Sequence, residues 1–214
     1  MSNADVSAEP NLAGVLMPST VIEKDGIRYG LIGLTPQDTP DLASPGPTIT
    51  FTDPVGAVRD QIAKLEADGI DRIIVLSHSG YRVAQRVAAV VDGLDVLVGG
   101  PSNTFLSNTS DRAEGPYPTW VDGPDGAMVP IVQAYAYSKY LGHLEVTFDD
   151  EGNLIFADGN TMLLDASVEP DAAIAARVAE LAAPIEEAMA EVVAESTDVI
   201  DGSRDNCRAR ECQM

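Results

Sequence analysis

Between residues 53 and 100, the apolar positions alternate between the spacing typical of helices and that of buried strands. Asp53 and Pro54 are residue types that begin helices, and Gly69 is a type that follows their last turn. Four apolar residues between them recur every three or four positions and therefore share one helix face: Val55, Val58, Ile62 and Leu65. The segment is predicted to be an amphipathic helix.

Two nearly continuous apolar runs, 70–76 and 94–98, predict strands that are covered on both faces. A second helix is expected between them, from about residue 82 to 91, ending at Gly93. Strands that alternate with helices in this way form parallel sheets with right-handed crossovers. Because such sheets bind ligands beyond the carboxyl ends of their strands, His78 and the loop 99–103 become candidates for a functional site.

Antiparallel strands are expected on either side of this unit. Residues 20–34 predict a hairpin that turns at Asp25–Gly26. After a Gly/Pro/Asp-rich stretch, 107–127, three further runs predict antiparallel strands: 129–137, 141–148 and 154–156. Residues 171–195 predict a long helix that Pro184 should kink. The predicted fold class is α/β.

Charge narrows the possible partners. The 214 residues include 34 acidic and 13 basic side chains, which gives a net charge of −21 at pH 7. Nucleic acid is not an expected partner, because its phosphates demand clustered Lys and Arg. No apolar run approaches the roughly 20 residues of a membrane helix, and residues 1–4 do not resemble a signal peptide. The acidic segment 166–200 is either a solvated helix face or a partner-binding surface.

Few residues carry evident chemistry. His78 is either a metal ligand or a structural imidazole that hydrogen-bonds after its strand. His143 lies within a predicted strand, with nothing near it in the sequence that suggests chemistry. Cys207 and Cys212 are free thiols in the simplest interpretation, which their spacing does not exclude. The chain has no P-loop, no GxGxxG motif and no nucleophile elbow.

Three segments carry a family signature: LSHSGYRVAQRVAAVVDGLDVLVGGPSNTFL, VPIVQAYAYSKYLGHLEVTFDDEGNL and DGSRDNCRARECQM. Together they strongly resemble the 5′-nucleotidase family, in particular its ecto-5′-nucleotidase branch, within the calcineurin-like metallophosphoesterases. The resemblance runs over nearly the whole chain, and the motifs occur in family order. The amino-terminal metal motifs of the family have no counterpart here, so the chain is expected to be an internal fragment of a two-domain enzyme.

The resemblance implies the C-terminal part of a four-layer α/β/β/α metallophosphoesterase sandwich, followed by a long linker helix. Residues 1–165 would be the C-terminal part of the metallophosphoesterase domain, 166–199 the linker helix, and 200–214 the start of the C-terminal substrate-binding domain. With the rest of the sandwich absent, one sheet edge or face is expected to be uncovered.

The implied activity is release of phosphate from nucleoside 5′-monophosphates or related esters, with two divalent ions such as Zn or Mn activating a water. By resemblance, His78 is a metal ligand and Asn103 a weaker second one. Pro101 stands where the family has a ligating histidine, and proline has no side-chain donor atom. This fragment is therefore expected to bind the metals weakly or not at all.

The resemblance also assigns the last residues of the chain. Arg208 would reach the substrate phosphate, since guanidinium donates two hydrogen bonds at once. Cys207 and Cys212 would form a disulfide, whereas Arg210 fits a surface ion pair. The parent protein would be periplasmic or extracellular, with a nucleotide substrate, no membrane span, and dimers as a possibility.

Three functional hypotheses remain open. In the first, the chain is part of a metal-dependent 5′-nucleotidase and has no turnover alone. In the second, Pro101 marks a degenerate relative that binds nucleotide or a partner without hydrolysis. In the third, the acidic helix makes the chain an interaction element.

Overall fold

The computed structural model describes residues 1–12, 14–124 and 126–197. The strands are β1 (Ala4–Asp5), β2 (Ser19–Lys24), β3 (Ile27–Leu34), β4 (Thr50–Phe51), β5 (Ile73–Ser77), β6 (Val96–Gly99), β7 (Thr119–Asp122), β8 (Met128–Val132), β9 (Tyr140–Phe148) and β10 (Leu154–Leu163). The helices are α1 (Thr39–Leu42), α2 (Pro54–Ala67), α3 (Tyr81–Val90) and α4 (Ala172–Met189). The chain divides into two compact units, Met1–Asp165 and Ala166–Met214.

A six-stranded sheet in the order β2-β3-β5-β6-β8-β7 forms the centre of the first unit. Its four inner strands are parallel to one another, and β2 and β7 pair antiparallel at the two edges. The predicted hairpin is confirmed: β2 and β3 meet at Asp25 and Gly26, both of which have positive φ. The α/β class is confirmed as well.

Helices α2 and α3 cover one face of this sheet. The backbone N–H of Gly56 donates to the Asp53 carboxylate at 3.0 Å, so Asp53 is the N-cap that the sequence predicts. The predicted apolar face of α2 is buried, and it joins Ile32, Val75, Leu97 and Ile131 of the sheet in one core. The two continuous apolar runs form β5 and β6, and their inward-facing side chains fill this core.

The antiparallel hairpin β9–β10 lies over the other face of the sheet, where Leu144 of β9 packs against Tyr117 and Val132. A cavity of about 420 Å³ separates Gly142, Leu144 and Val146 of β9 from the strands below. Part of this sheet face stays open to solvent, since Leu76 is 46% exposed and Val98 39%.

The structure corrects three predictions in the second half of the chain. Strand β8 pairs antiparallel with β7, as predicted, but it lies parallel to β6 on its other side. It ends at Val132, short of the predicted residue 137, and Tyr135 and Tyr137 beyond it adopt left-handed backbone conformations that do not continue a strand. The Gly/Pro/Asp-rich stretch 107–127, for which no strand is predicted, contains β7, which pairs with β8. Strand β10 runs on to Leu163, past the predicted end at Phe156.

In the second unit, α4 is the described element. Asp171 caps it, accepting hydrogen bonds from Ala173 N at 3.0 Å and Ile174 N at 2.9 Å. The helix continues through Pro184 and ends at Met189, short of the predicted residue 195, where the β-branched Val192 and Val193 follow. No residue of α4 is buried. Across the described residues, no helix is both long and apolar enough to cross a membrane.

Candidate functional site

His78 directly follows β5, at the carboxyl edge of the parallel strands. Its backbone N–H donates to Leu34 O at 2.9 Å, which ties the segment to the end of β3. The imidazole packs against Gly100: a Cβ built at that glycine would lie only 2.8 Å from Nδ1. The close approach of His78 to the neighbouring loop therefore requires glycine at position 100.

The second candidate loop, 99–104, follows β6 at the same edge of the sheet. The N–H of Gly80 donates to Gly100 O at 2.7 Å, so this loop is bonded directly to the segment that carries His78. Asn103 lies within the loop, is exposed, and has a left-handed backbone with φ of 55°. The structure thus brings together the two segments that contain the predicted ligands.

Gln133 is a buried polar residue of this region that the sequence does not single out. It follows β8, is 5% exposed, and directs its side-chain amide at the loop 99–104. The sequence pattern places Gln133 within a strand, where its amide would have no special role. Its contacts depend on the left-handed turn at Asn103, which no sequence spacing announces.

The described residues do not make up a whole divalent-ion site. An imidazole nitrogen and an amide oxygen suit zinc or manganese, and His78 and Asn103 offer these atoms. Pro101 is exposed in the same loop and has no donor atom. No group of three or more His, Cys, Asp or Glu within 1–12, 14–124 and 126–197 is arranged to hold a metal.

The other residues of interest lie apart from this edge or outside the description. His143 is exposed on β9, where Nε2 lies 3.9 Å from Glu145 Oε1. Arg208, Arg210, Cys207 and Cys212 fall outside the described residues, so the predicted phosphate contact and disulfide stay predictions.

Comparison with known proteins settles the relationship. No family model matches the chain. A 5′-nucleotidase from Diplobatis ommata is 41% identical over 96% of the chain, and a snake venom 5′-nucleotidase from Crotalus adamanteus is 38% identical over 97%. The crystal structure of a 5′-nucleotidase precursor from Thermus thermophilus superimposes over 95% of the chain, with a TM-score of 0.86 and 38% identity. The chain is homologous to the 5′-nucleotidases.

These 5′-nucleotidases are hydrolases, and the resemblance noted in the sequence is confirmed. The chain spans 36% of the length of both curated relatives and 41% of the Thermus thermophilus chain. The fold is that of the matching part of the 5′-nucleotidases. The ligand roles of His78 and Asn103, and the assignment of residues 1–165, 166–199 and 200–214 to domains, remain predictions.

Proposed function

We propose that this chain is part of a divalent-metal-dependent phosphohydrolase that releases phosphate from nucleoside 5′-monophosphates or related nucleotide esters. The observation that carries the proposal is the pairing of His78 with the Gly99–Gly100 turn at one edge of the sheet, in a chain homologous to 5′-nucleotidases. Ligands of open α/β sheets bind at this edge.

In this proposal His78 binds one of two divalent ions, of the zinc or manganese type, and Asn103 contributes its amide oxygen. Two bound divalent ions of this kind would supply an activated water and would stabilise the negative charge on the phosphoryl group. Arg208 would bind the substrate phosphate, and Cys207 with Cys212 would brace that segment as a disulfide. The parent protein would act outside the cell or in the periplasm, where disulfides persist.

The isolated chain is proposed to be inactive, because its two candidate ligands cannot complete two ion sites, each of which needs about three protein ligands beside the bound water. Purified chain incubated with AMP and Mn²⁺ or Zn²⁺ should release no phosphate above the buffer rate. Release that disappears in the His78→Ala chain would contradict this part of the proposal.

A degenerate, non-hydrolytic relative is the alternative, and Pro101 favours it, because a position given to a ligand in the family carries no donor here. The two functions separate in a chimaera, in which the chain replaces its matching segment of the Thermus thermophilus 5′-nucleotidase. That protein shares the fold closely enough for the exchange.

The chimaera should be tested for AMP hydrolysis with Pro101 and with Pro101→His. We expect weak activity with Pro101, a rise of at least about tenfold with histidine, and loss of both when His78→Ala is added. Folding is checked independently by thermal unfolding. A folded chimaera that stays inactive with Pro101→His would support the binding-only relative and contradict the hydrolase.

A further inference from the structure

The side-chain amide of Gln133 makes three hydrogen bonds to one short loop. In the amide orientation that pairs every donor with an acceptor, its Oε1 accepts from Asn103 N at 2.9 Å and from Thr104 N at 3.0 Å, and its Nε2 donates to Ser102 Oγ at 3.2 Å. Gln133 itself is held in place, because it directly follows β8 in the sheet. One buried side chain therefore provides hydrogen-bond partners for three consecutive residues of the loop.

The same network reaches the segment that follows His78. Ser102 Oγ also accepts from the N–H of Tyr81, the first residue of α3, at 3.2 Å, and it shares a hydrogen bond with Thr104 Oγ1 at 2.9 Å. Together with the bond from Gly80 N to Gly100 O, these contacts fix the two loops relative to each other. Gln133 is connected to the His78 segment through Ser102 in this hydrogen-bond network.

The left-handed backbone at Asn103 explains why the loop needs the three hydrogen bonds to Gln133, which we call the Gln133 clamp. A residue other than glycine with positive φ is uncommon, although asparagine tolerates this region better than most residues. At Asn103 the turn aims two successive N–H groups at one point, and Gln133 Oε1 occupies that point. Thr104 is 4% exposed, so its N–H would lack a water to replace the lost acceptor.

We propose that Gln133 is a positioning residue that sets the conformation of Asn103 and, through Ser102, the placement of this loop against the His78 segment. The inference rests on the proposed function, in which His78 and Asn103 serve one site. A methionine at position 133 would fill the same space but would leave both loop amides without an acceptor. A glutamate would keep the acceptor oxygen in either protonation state.

Amide hydrogen exchange, followed by NMR on the full chain, tests the clamp directly. Gln133→Met should speed exchange at Asn103 and Thr104 by at least about tenfold, and leave core amides such as that of Val75 unchanged. Gln133→Glu should restore slow exchange at Asn103 and Thr104. The exposed Gln37→Met serves as the matched control and should change neither loop amide. Unchanged exchange at Asn103 and Thr104 in Gln133→Met would overturn the inference.

Paramagnetic broadening by Mn²⁺ separates this inference from the proposed function. In the unmodified chain, an excess of Mn²⁺ should broaden the side-chain resonances of His78 and Asn103 together, because paramagnetic broadening detects the weak binding expected of an incomplete ligand set. In Gln133→Met the broadening at Asn103 should fall relative to that at His78, and Gln133→Glu should recover it. Equal broadening at both residues in Gln133→Met would contradict the positioning role. Absence of broadening in the unmodified chain, with exchange still accelerated by Gln133→Met, would contradict the metal site and support the clamp.

Discussion

At the scale of single residues, Tyr117 is buried between the β9–β10 hairpin and the six-stranded sheet. It is 2% exposed and packs with Leu106 and Val132. A Cβ built at Gly142 would lie 2.8 Å from its hydroxyl oxygen, so β9 approaches the ring closely. Burial raises the pKa of Tyr117 from its ordinary value of 10.0 to about 12, because the phenolate would lose its hydration.

This pKa predicts how stability responds to alkali. Between pH 10 and 12 the unfolded chain loses the Tyr117 proton while the folded chain keeps it, so the free energy of unfolding falls as pH rises. A displacement of this size corresponds to roughly 2–3 kcal/mol over that range. Tyr117→Phe should flatten the decline, as measured by urea unfolding at pH 8, 10 and 11. Tyr137→Phe, at a residue that is 90% exposed, should leave the decline intact.

The sequence predicts only some of the residues that belong to the candidate site. His78 and Asn103 could be named because each follows a strand and matches a family motif. Gln133 could not, since its role arises from the direction of two backbone N–H groups at a left-handed turn. Such directions depend on tertiary contacts that join residues distant in the chain.

At the scale of elements, two glycines should respond to alanine in opposite ways. At Gly56, within α2, a Cβ would have one neighbour, at 4.0 Å, so alanine should stabilise the helix by up to about 1 kcal/mol. At Gly159, within β10, a Cβ would overlap the carbonyl oxygen of His143 on β9, and alanine should cost about 1–3 kcal/mol or more.

Equilibrium urea unfolding of both alanine variants at pH 7.5 measures this contrast. The two changes are chemically identical, so the difference reports the backbone context of each glycine together with the space around it. Equal free energies of unfolding for Gly56→Ala and Gly159→Ala would contradict the close contact between β9 and β10.

Loss of the N-cap residue should reduce the helix content of α4 more than that of α2. Removal of a capping carboxylate costs about 1 kcal/mol. Because no residue of α4 is buried, Asp171→Ala should lower the helical signal in far-UV circular dichroism. Asp53→Ala should instead lower the unfolding temperature with little loss of helix, because packing holds α2 in place. An undiminished helical signal in Asp171→Ala would count against the cap.

The elements with strong hydrophobic spacing were predictable from the sequence, and the weakly patterned ones were not. Helix α2 and strands β5 and β6 follow directly from apolar positions that one core buries. Strand β7 has four residues between Pro118 and Gly123, and it forms because Val121 and Trp120 pair with β8. The local pattern of apolar residues does not indicate this pairing.

At the scale of the whole molecule, charge repulsion opposes folding. The net charge is −21, because the chain has 34 acidic and 13 basic side chains, and close ion pairs among the described residues include Arg72 with Asp71 and Arg177 with Glu180. Most of the negative charge therefore interacts repulsively across the surface, and salt weakens such repulsion by shortening the Debye length from about 30 Å at 0.01 M to about 10 Å at 0.1 M.

The chain should consequently become more stable as NaCl rises from 10 to 300 mM. A gain of about 1 kcal/mol would raise the unfolding temperature by roughly 2–4 °C for a protein of this size. Glu23→Gln together with Glu151→Gln should reduce this salt response in differential scanning calorimetry. A melting temperature independent of NaCl would show that the charges are already compensated.

The contact between Gly100 and the His78 imidazole has a consequence for how this protein can vary. Any side chain at position 100 would have to displace the ring or the loop, so we expect a substitution there to disturb the placement of His78. In a library randomised at both positions and selected for nucleotide hydrolysis in the chimaera, glycine and histidine should be recovered as a linked pair. We therefore expect the residues at positions 78 and 100 to vary together, although 21 residues separate them in the chain.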